Sequence, residues 1–120
     1  RVEDKAFISG GVMVHQFGRI GRYAMLGGNS KITQDCLPFV ITDGVPASVR
    51  GLNVVGLKRA GFKLDSIKAL KEAYRILFRS SQSLDGKLGE MQKISNERVT
   101  ELVDFIAETK RGFHRDKPSE

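Results

Sequence analysis

Several residue types are scarce in this chain of 120 residues, which has no tryptophan, three prolines and a single cysteine. One cysteine excludes an internal disulfide and suits a reducing compartment. With two histidines and no clustered cysteines, the sequence carries no metal-site pattern, and we expect neither a metal nor a cofactor. No apolar run approaches the roughly eighteen residues that a membrane span requires, so we expect no span either.

What the sequence does have is a repeat of six residues near its start. Aliphatic residues recur at this step: Val2, Ile8, Val14, Ile20, Leu26 and Ile32. Mostly small residues precede the last five by two positions: Ala6, Val12, Gly18, Ala24 and Ser30. One further step reaches Cys36, which we expect to be buried in this small-residue register. A helix repeats every three or four residues and a flat strand every second one, so a period of six fits neither.

The six-residue period indicates a parallel β-helix, in which each hexad supplies one short strand and one corner. Residues eighteen apart then stack along the core, which pairs Val2 with Ile20. An ordinary strand meander with chance spacing is the alternative. Two turns are few for a solenoid, and the repeat begins without a cap, so we expect the chain to be the C-terminal part of a longer protein.

The repeat stops where proline and glycine become frequent, at 38–51, and we predict a connecting loop there. A short helix is expected within residues 50–60, with Asn53 as its N-cap, and a second helix around residues 67–79. Two more helices are predicted, with Ser83 and Asn96 as their N-caps. The predicted division is thus 1–37 for the coils, 38–51 for the loop, 52–112 for a helical domain and 113–120 for a polar tail.

Positive charge is concentrated in residues 46–80, which carry eight basic and two acidic side chains of a chain whose net charge is +6. Four of the basic residues fall at steps of three and four, on one face of the second helix: Lys68, Lys71, Arg75 and Arg79. Such a stripe attracts nucleic acid, anionic lipid, phosphorylated substrates or acidic proteins. A solvated helix face is the alternative.

Three features together resemble one family: the hexads, the segment Val14-His15-Gln16-Phe17, and the run from Gly51 to Phe62. The family is the UDP-N-acetylglucosamine O-acyltransferase that begins lipid A biosynthesis. The resemblance implies a left-handed parallel β-helix followed by a small C-terminal helical bundle. It also implies a cytoplasmic homotrimer that moves a 3-hydroxyacyl chain from acyl carrier protein to the 3-hydroxyl of UDP-N-acetylglucosamine. It implies no nucleic-acid partner.

The resemblance also assigns candidate site residues. His15 and Gln16 match the family's His-Gln pair at the substrate cleft. The family's general base lies in a His-x-x-His segment upstream of this pair, and this chain has no such segment, so we expect no catalytic residue in it and no activity of the chain alone. Asn53 and Arg59 match positions that recognise the nucleotide, although each also reads as a structural residue at a helix end.

Other positions either depart from the family pattern or extend it. Val55 stands where the family often has Glu, and Ala60 where a second Arg is common. Gly28 matches a position that limits the acyl-chain groove, and Pro46 replaces a His found in some relatives.

The resemblance makes the basic stripe a docking surface for acyl carrier protein. Two alternatives stay open: a related hexapeptide acyltransferase that acts on another nucleotide sugar, and a non-catalytic binding module for an acidic protein.

Overall fold

The computed structural model describes residues 1–14, 18–45, 47–109 and 112–115. Those residues form six strands and then four helices. The strands are β1 (Phe7–Ile8), β2 (Met13–Val14), β3 (Met25–Leu26), β4 (Lys31–Ile32), β5 (Val40–Gly44) and β6 (Ala47–Leu52). The helices are α1 (Val54–Arg59), α2 (Leu64–Arg79), α3 (Leu84–Gln92) and α4 (Glu97–Glu108).

The short strands pair in parallel with strands one coil further along the chain. The pairs are Val2 with Ile20, Ile8 with Leu26, and Val14 with Ile32. This confirms the prediction that residues eighteen apart stack. The later member of each pair is fully buried, whereas the earlier member is exposed at the open end of the stack.

The next coil is two residues shorter, because Ile20 pairs with Cys36 and Leu26 pairs with Thr42. Cys36 therefore lies beside Ile20 in the aliphatic register, and its expected place in the small-residue register is wrong. Its side chain is fully buried, as expected. Burial, with a smaller contribution from the Asp35 carboxylate, raises the pKa of the Cys36 thiol to about 12. The thiol is thus a protonated packing group.

Residues 38–51, which the sequence predicts to be a connecting loop, instead hold β5 and most of β6. These two strands form an antiparallel hairpin, and β5 also pairs in parallel with β3, giving a sheet in the order β1-β3-β5-β6. Of the turn signals, Gly44 ends β5 at the hairpin turn with φ of 104°, whereas Gly51 lies within β6. Buried Val40 and Thr42 alternate with the more exposed Ile41, as in a strand with one face on the core.

Three predicted helix caps are confirmed. The side chains of Asn53, Ser83 and Asn96 accept backbone N–H hydrogen bonds at the first turns of α1, α3 and α4. The expected helical start at Arg50 is wrong, because Arg50 belongs to β6. Helices α2, α3 and α4 pack on one another, and α2 also contacts β6. Their buried faces join the hairpin in one core, whose helical members include Leu57, Leu70, Leu77, Met91, Val99 and Ile106.

The segment 112–115 returns to the coils, so the predicted polar tail is wrong for its first residues. Phe113 pairs with Asp35, and the side chains of Phe113 and His114 are 2% and 4% exposed. The His114 Nε2 accepts hydrogen bonds from the backbone N–H groups of Thr33 (3.2 Å) and Gln34 (3.1 Å). Because Nε2 accepts both bonds, the imidazole must be neutral. Burial lowers the pKa of His114, opposed by a hydrogen bond with the Ala47 backbone and by the Asp35 charge.

We predict that acid loosens the segment 112–115. The pKa of His114 in the folded state lies below its ordinary value of 6.5, so the imidazole binds a proton more readily when the segment is detached. The contribution of His114 to the stability of the attached segment is therefore complete above the ordinary pKa and is lost as the pH falls through the folded-state pKa. Hydrogen-exchange protection of the Thr33 and Gln34 amides should drop between about pH 8 and about pH 5. His114→Gln supplies a non-titrating acceptor and should remove the drop. An equal drop in both proteins would assign it to another group.

Candidate functional site

A groove of about 500 Å³ lies between α1 and the outer face of the sheet. Its floor consists of three outward-facing apolar side chains, Phe7, Met25 and Ile41, which are register partners on β1, β3 and β5. The wall consists of the end of β6 and one side of α1: Leu52, Asn53, Val54, Val55, Gly56 and Arg59. The groove therefore joins an apolar surface to one cation and one amide, a combination typical of small-molecule sites.

Asn53 is largely buried and both polar atoms of its side chain are engaged. Its Oδ1 accepts from the Gly56 backbone N–H (3.3 Å), and its Nδ2 donates to the Tyr23 carbonyl (3.2 Å). Its backbone N–H donates to the Phe39 carbonyl (2.8 Å). Asn53 thus connects α1 to the coils, which bears out its structural role as a cap. One amide hydrogen and one acceptor lone pair remain for a ligand.

Gly56 lines the groove directly above Asn53. A Cβ at this position would come within 2.5 Å of Asn53 Nδ2 and 2.8 Å of its Oδ1. Neither atom can move away without breaking the bond that it makes to α1 or to Tyr23. The Asn53 contacts therefore require glycine at position 56.

Arg59 lies in the last turn of α1, exposed and beside the groove. Among the described residues, no carboxylate lies within ion-pair distance of its guanidinium. A forked donor in such a place suits phosphate or carbonyl oxygens of a ligand. Val55, at the position where the family often has Glu, is 63% exposed and makes this part of the wall apolar. Ala60 follows as the C-cap of α1 and carries no charge into the groove.

The other sequence-predicted positions do not all lie at this groove. His15 and Gln16 are outside the described residues, as is Pro46. Gly28 is exposed at a corner of the coils, away from the groove lining, and a Cβ there would meet Gly10 O at an ordinary 3.5 Å. Its role in the acyl-chain groove stays a prediction.

The basic stripe lies on α2, and none of its residues lines the groove. Lys68, Lys71, Arg75 and Arg79 are all exposed. Arg75 forms an ion pair with Glu72 one turn earlier, and hydrogen bonding between them raises the pKa of Arg75 and lowers that of Glu72. Part of the positive charge is therefore compensated within the helix.

Sequence reasoning missed the floor of the groove. Phe7, Met25 and Ile41 each precede an inward-facing position, and this alternation was the available signal. The alternation was not recognised because Ile41 follows the shortened coil and therefore does not lie on the six-residue step that relates Phe7 to Met25.

A second groove, of about 300 Å³, lies between the coils and α4 and is mainly acidic. Several of its charges are paired: Arg19 contacts Glu3 and Glu108 (3.5 Å each), and Glu101 accepts two 2.9 Å hydrogen bonds from Arg22. Within the described ranges, His, Cys, Asp and Glu side chains form no group of three that could hold a metal ion. Of the described helices, none combines the length and the apolar composition that crossing a membrane requires.

Comparison with known proteins identifies the chain's relatives. Residues 35–114 match the family model of the UDP N-acetylglucosamine O-acyltransferase, domain 2. The acyl-[acyl-carrier-protein]–UDP-N-acetylglucosamine O-acyltransferases of Alkalilimnicola ehrlichii and Burkholderia mallei are each 44% identical over 95% of this chain. These matches cover 45% and 46% of the two relatives, so the chain spans about half of their length.

Solved structures of similar fold carry the same description. The UDP-N-acetylglucosamine acyltransferase of Bacteroides fragilis superposes with a TM-score of 0.91 at 33% identity, over 95% of this chain and 46% of that one. The Moraxella catarrhalis protein superposes with a TM-score of 0.87 at 43% identity, over 92% and 44% of the two chains.

The contact between Gly56 and Asn53 predicts an unusual response to alanine. In a helix interior, Gly→Ala ordinarily stabilises by up to about 1 kcal/mol, and Gly89 of α3, where nothing lies within 4 Å of a new Cβ, should show that gain. Gly56→Ala should lack it, because loss of the Asn53 cap costs about 1 kcal/mol. The free energy of unfolding from urea titrations measures both. In a double-mutant cycle, Asn53→Ala should cost less in the Gly56→Ala background; independent effects would refute the coupling.

Proposed function

Because the chain belongs to the UDP-N-acetylglucosamine O-acyltransferase family, we propose that it is the C-terminal part of an enzyme that acylates UDP-N-acetylglucosamine. The reaction moves a 3-hydroxyacyl chain from acyl carrier protein to the 3-hydroxyl of the sugar, as the first step of lipid A biosynthesis. The observation that carries this proposal is the groove in which Arg59 and Asn53 of the α1 wall face an apolar floor.

The proposed architecture is a left-handed parallel β-helix followed by a helical bundle, in a cytoplasmic homotrimer. The parallel pairing at eighteen residues and the likeness to the solved relatives support the coil. The exposed apolar side chains on the first two strands, Phe7 of β1 and Met13 of β2, support contact with another subunit. With the hairpin assigned to the coils, the proposed helical domain extends from α1, which begins at Val54, to α4, which ends at Glu108.

In this proposal the groove binds and orients the sugar nucleotide. Arg59 donates paired hydrogen bonds to phosphate or uracil oxygens, and Asn53 offers its remaining amide hydrogen. His15 and Gln16 hydrogen-bond the sugar side of the substrate. The proton of the sugar hydroxyl is taken by a general base outside this chain, so the chain alone does not catalyse transfer. Gly28 leaves room for the acyl chain.

The first test is the activity of the full-length protein on a panel of UDP-sugars, followed by Arg59→Ala. Loss of a charge-assisted hydrogen bond costs about 1.5–3 kcal/mol, so KM for UDP-N-acetylglucosamine should rise roughly ten- to hundredfold. Lys58→Ala is the matched control, because Lys58 is an exposed neighbour in α1 that does not line the groove. Preference for another UDP-sugar would favour a related enzyme, and no activity with any of them would favour a binding module.

The second test concerns acyl carrier protein, which as an acidic partner should dock on the stripe of α2. Reversing Lys71 and Arg75 to Glu should raise KM for the carrier protein and leave KM for the UDP-sugar unchanged, because steering by charge acts on the acidic partner. The effect should weaken with salt, since the Debye length is about 8 Å at physiological ionic strength.

The matched control reverses Lys87 of α3 and Lys93, the C-cap of that helix. It changes the net charge equally, and Lys93 is paired with Glu90 as Arg75 is with Glu72. An equal rise in both double variants would mean that only net charge matters. No rise in either would make the stripe a solvated surface.

A further inference from the structure

Helix α1 is too short to hold its own position. It has six residues, and isolated helices of that length are unstable in water. Yet it carries the wall of the groove, including Arg59, whose guanidinium must be placed to within a fraction of an ångström to bind oxygens in a fork. Its position must therefore come from contacts with the rest of the fold. Leu57 packs in the core, and two further contacts join the ends of α1 to the coils.

The first contact lies before α1 and uses two carbonyl groups. Tyr23 and Phe39 stand at stacked corners of successive coils, and both have left-handed backbone conformations, with φ of 58° and 70°. The Tyr23 carbonyl accepts from Asn53 Nδ2, and the Phe39 carbonyl accepts from the Asn53 backbone N–H. A left-handed conformation is costly for residues other than Gly, Asn and Asp, so these corners need compensating contacts.

The second contact lies after α1 and uses aromatic rings. Phe62 follows α1 by three residues, and its ring meets that of Tyr23 edge-on, with centroids 4.8 Å apart and an angle of 80°. Phe39 lies 5.9 Å from Phe62 and 6.2 Å from Tyr23. The Arg98 guanidinium of α4 lies over Phe62 at 4.2 Å and over Tyr23 at 5.8 Å. Tyr23 thus contacts the residues on both sides of α1, Asn53 before the helix and Phe62 after it.

We propose that Tyr23 is a positioning residue for the nucleotide end of the groove. It does not line the groove; it holds Asn53 through its carbonyl and Phe62 through its ring, and thereby sets where Arg59 lies. This inference rests on the proposed function for its substrate. Phe39 shares both contacts but is fully buried in the core, whereas Tyr23 is half-buried and can be replaced with less damage to the fold.

The two contributions of Tyr23 can be separated by substitution. Tyr23→Phe keeps the ring and should behave as the wild type. Tyr23→Asn keeps a residue that tolerates the left-handed conformation, and so keeps the carbonyl in place, but it removes the ring. A matched control is Tyr74→Ala, which removes an aromatic ring that is paired edge-on with Phe78 in α2 at 4.9 Å and does not line the groove.

The kinetics of the full-length enzyme test the proposal. Tyr23→Asn should raise KM for UDP-N-acetylglucosamine roughly three- to tenfold, the worth of one aromatic pair. It should leave kcat and KM for acyl carrier protein within about twofold, as a substitution that touches neither chemistry nor docking does. Tyr23→Phe should restore wild-type KM. Tyr74→Ala should lower the melting temperature without raising KM for the UDP-sugar.

A second readout does not depend on the substrate. Hydrogen exchange of the Leu57, Ala60 and Phe62 amides should quicken in Tyr23→Asn and stay unchanged in Tyr23→Phe and Tyr74→Ala. If the wild-type enzyme does not use UDP-N-acetylglucosamine, the proposed function fails while this exchange still decides the role of Tyr23. Unchanged exchange in Tyr23→Asn, or a fall in kcat with unchanged KM, would overturn the positioning role.

Discussion

The close stacking of aliphatic side chains from successive coils is the constraint on which the rest of the structure depends. Ile20 lies between Val2 and Cys36 and is fully buried. Protein interiors pack at crystal-like density, so this column permits only one register between coils. The register in turn sets the outward residues Phe7, Met25 and Ile41 side by side, and it stacks the left-handed corners that hold α1. The packing of the core thus determines which side chains form the groove.

Features that depend on a few neighbouring residues were predictable from the sequence. The six-residue step predicted the pairing of the first two coils, because each side chain of the column repeats the same local geometry. The caps Asn53, Ser83 and Asn96 were predictable because a cap needs only a short polar side chain before an apolar periodic segment. The exposed stripe of α2 followed from helical periodicity for the same reason.

Features that depend on distant residues were not predictable in this way. The hairpin of β5 and β6 was read as a loop because the glycines and prolines in the sequence of residues 38–51 outweighed the alternation of its strands. The shortened coil places Cys36 by its partner Ile20, which lies sixteen residues away. His114 accepts hydrogen bonds from the Thr33 and Gln34 amides, which are distant in the sequence, and no local sequence pattern predicts these bonds. Asn53 was recognised as a cap, but its bond to Tyr23 required the corner of another coil.

The return of residues 112–115 to the coils has a consequence for how the molecule avoids other molecules. Parallel sheets that stop leave a row of unpaired N–H and C=O groups, which recruit strands from neighbouring chains. Here the Asp35 N–H donates to Gly112 O, the His114 N–H donates to Asp35 O, and the Val49 N–H donates to Arg115 O. The chain therefore covers this edge with its own residues 112–115, and the charged Arg115 of that segment is exposed. These backbone groups of Asp35 and Val49 are therefore not open to a strand from another molecule.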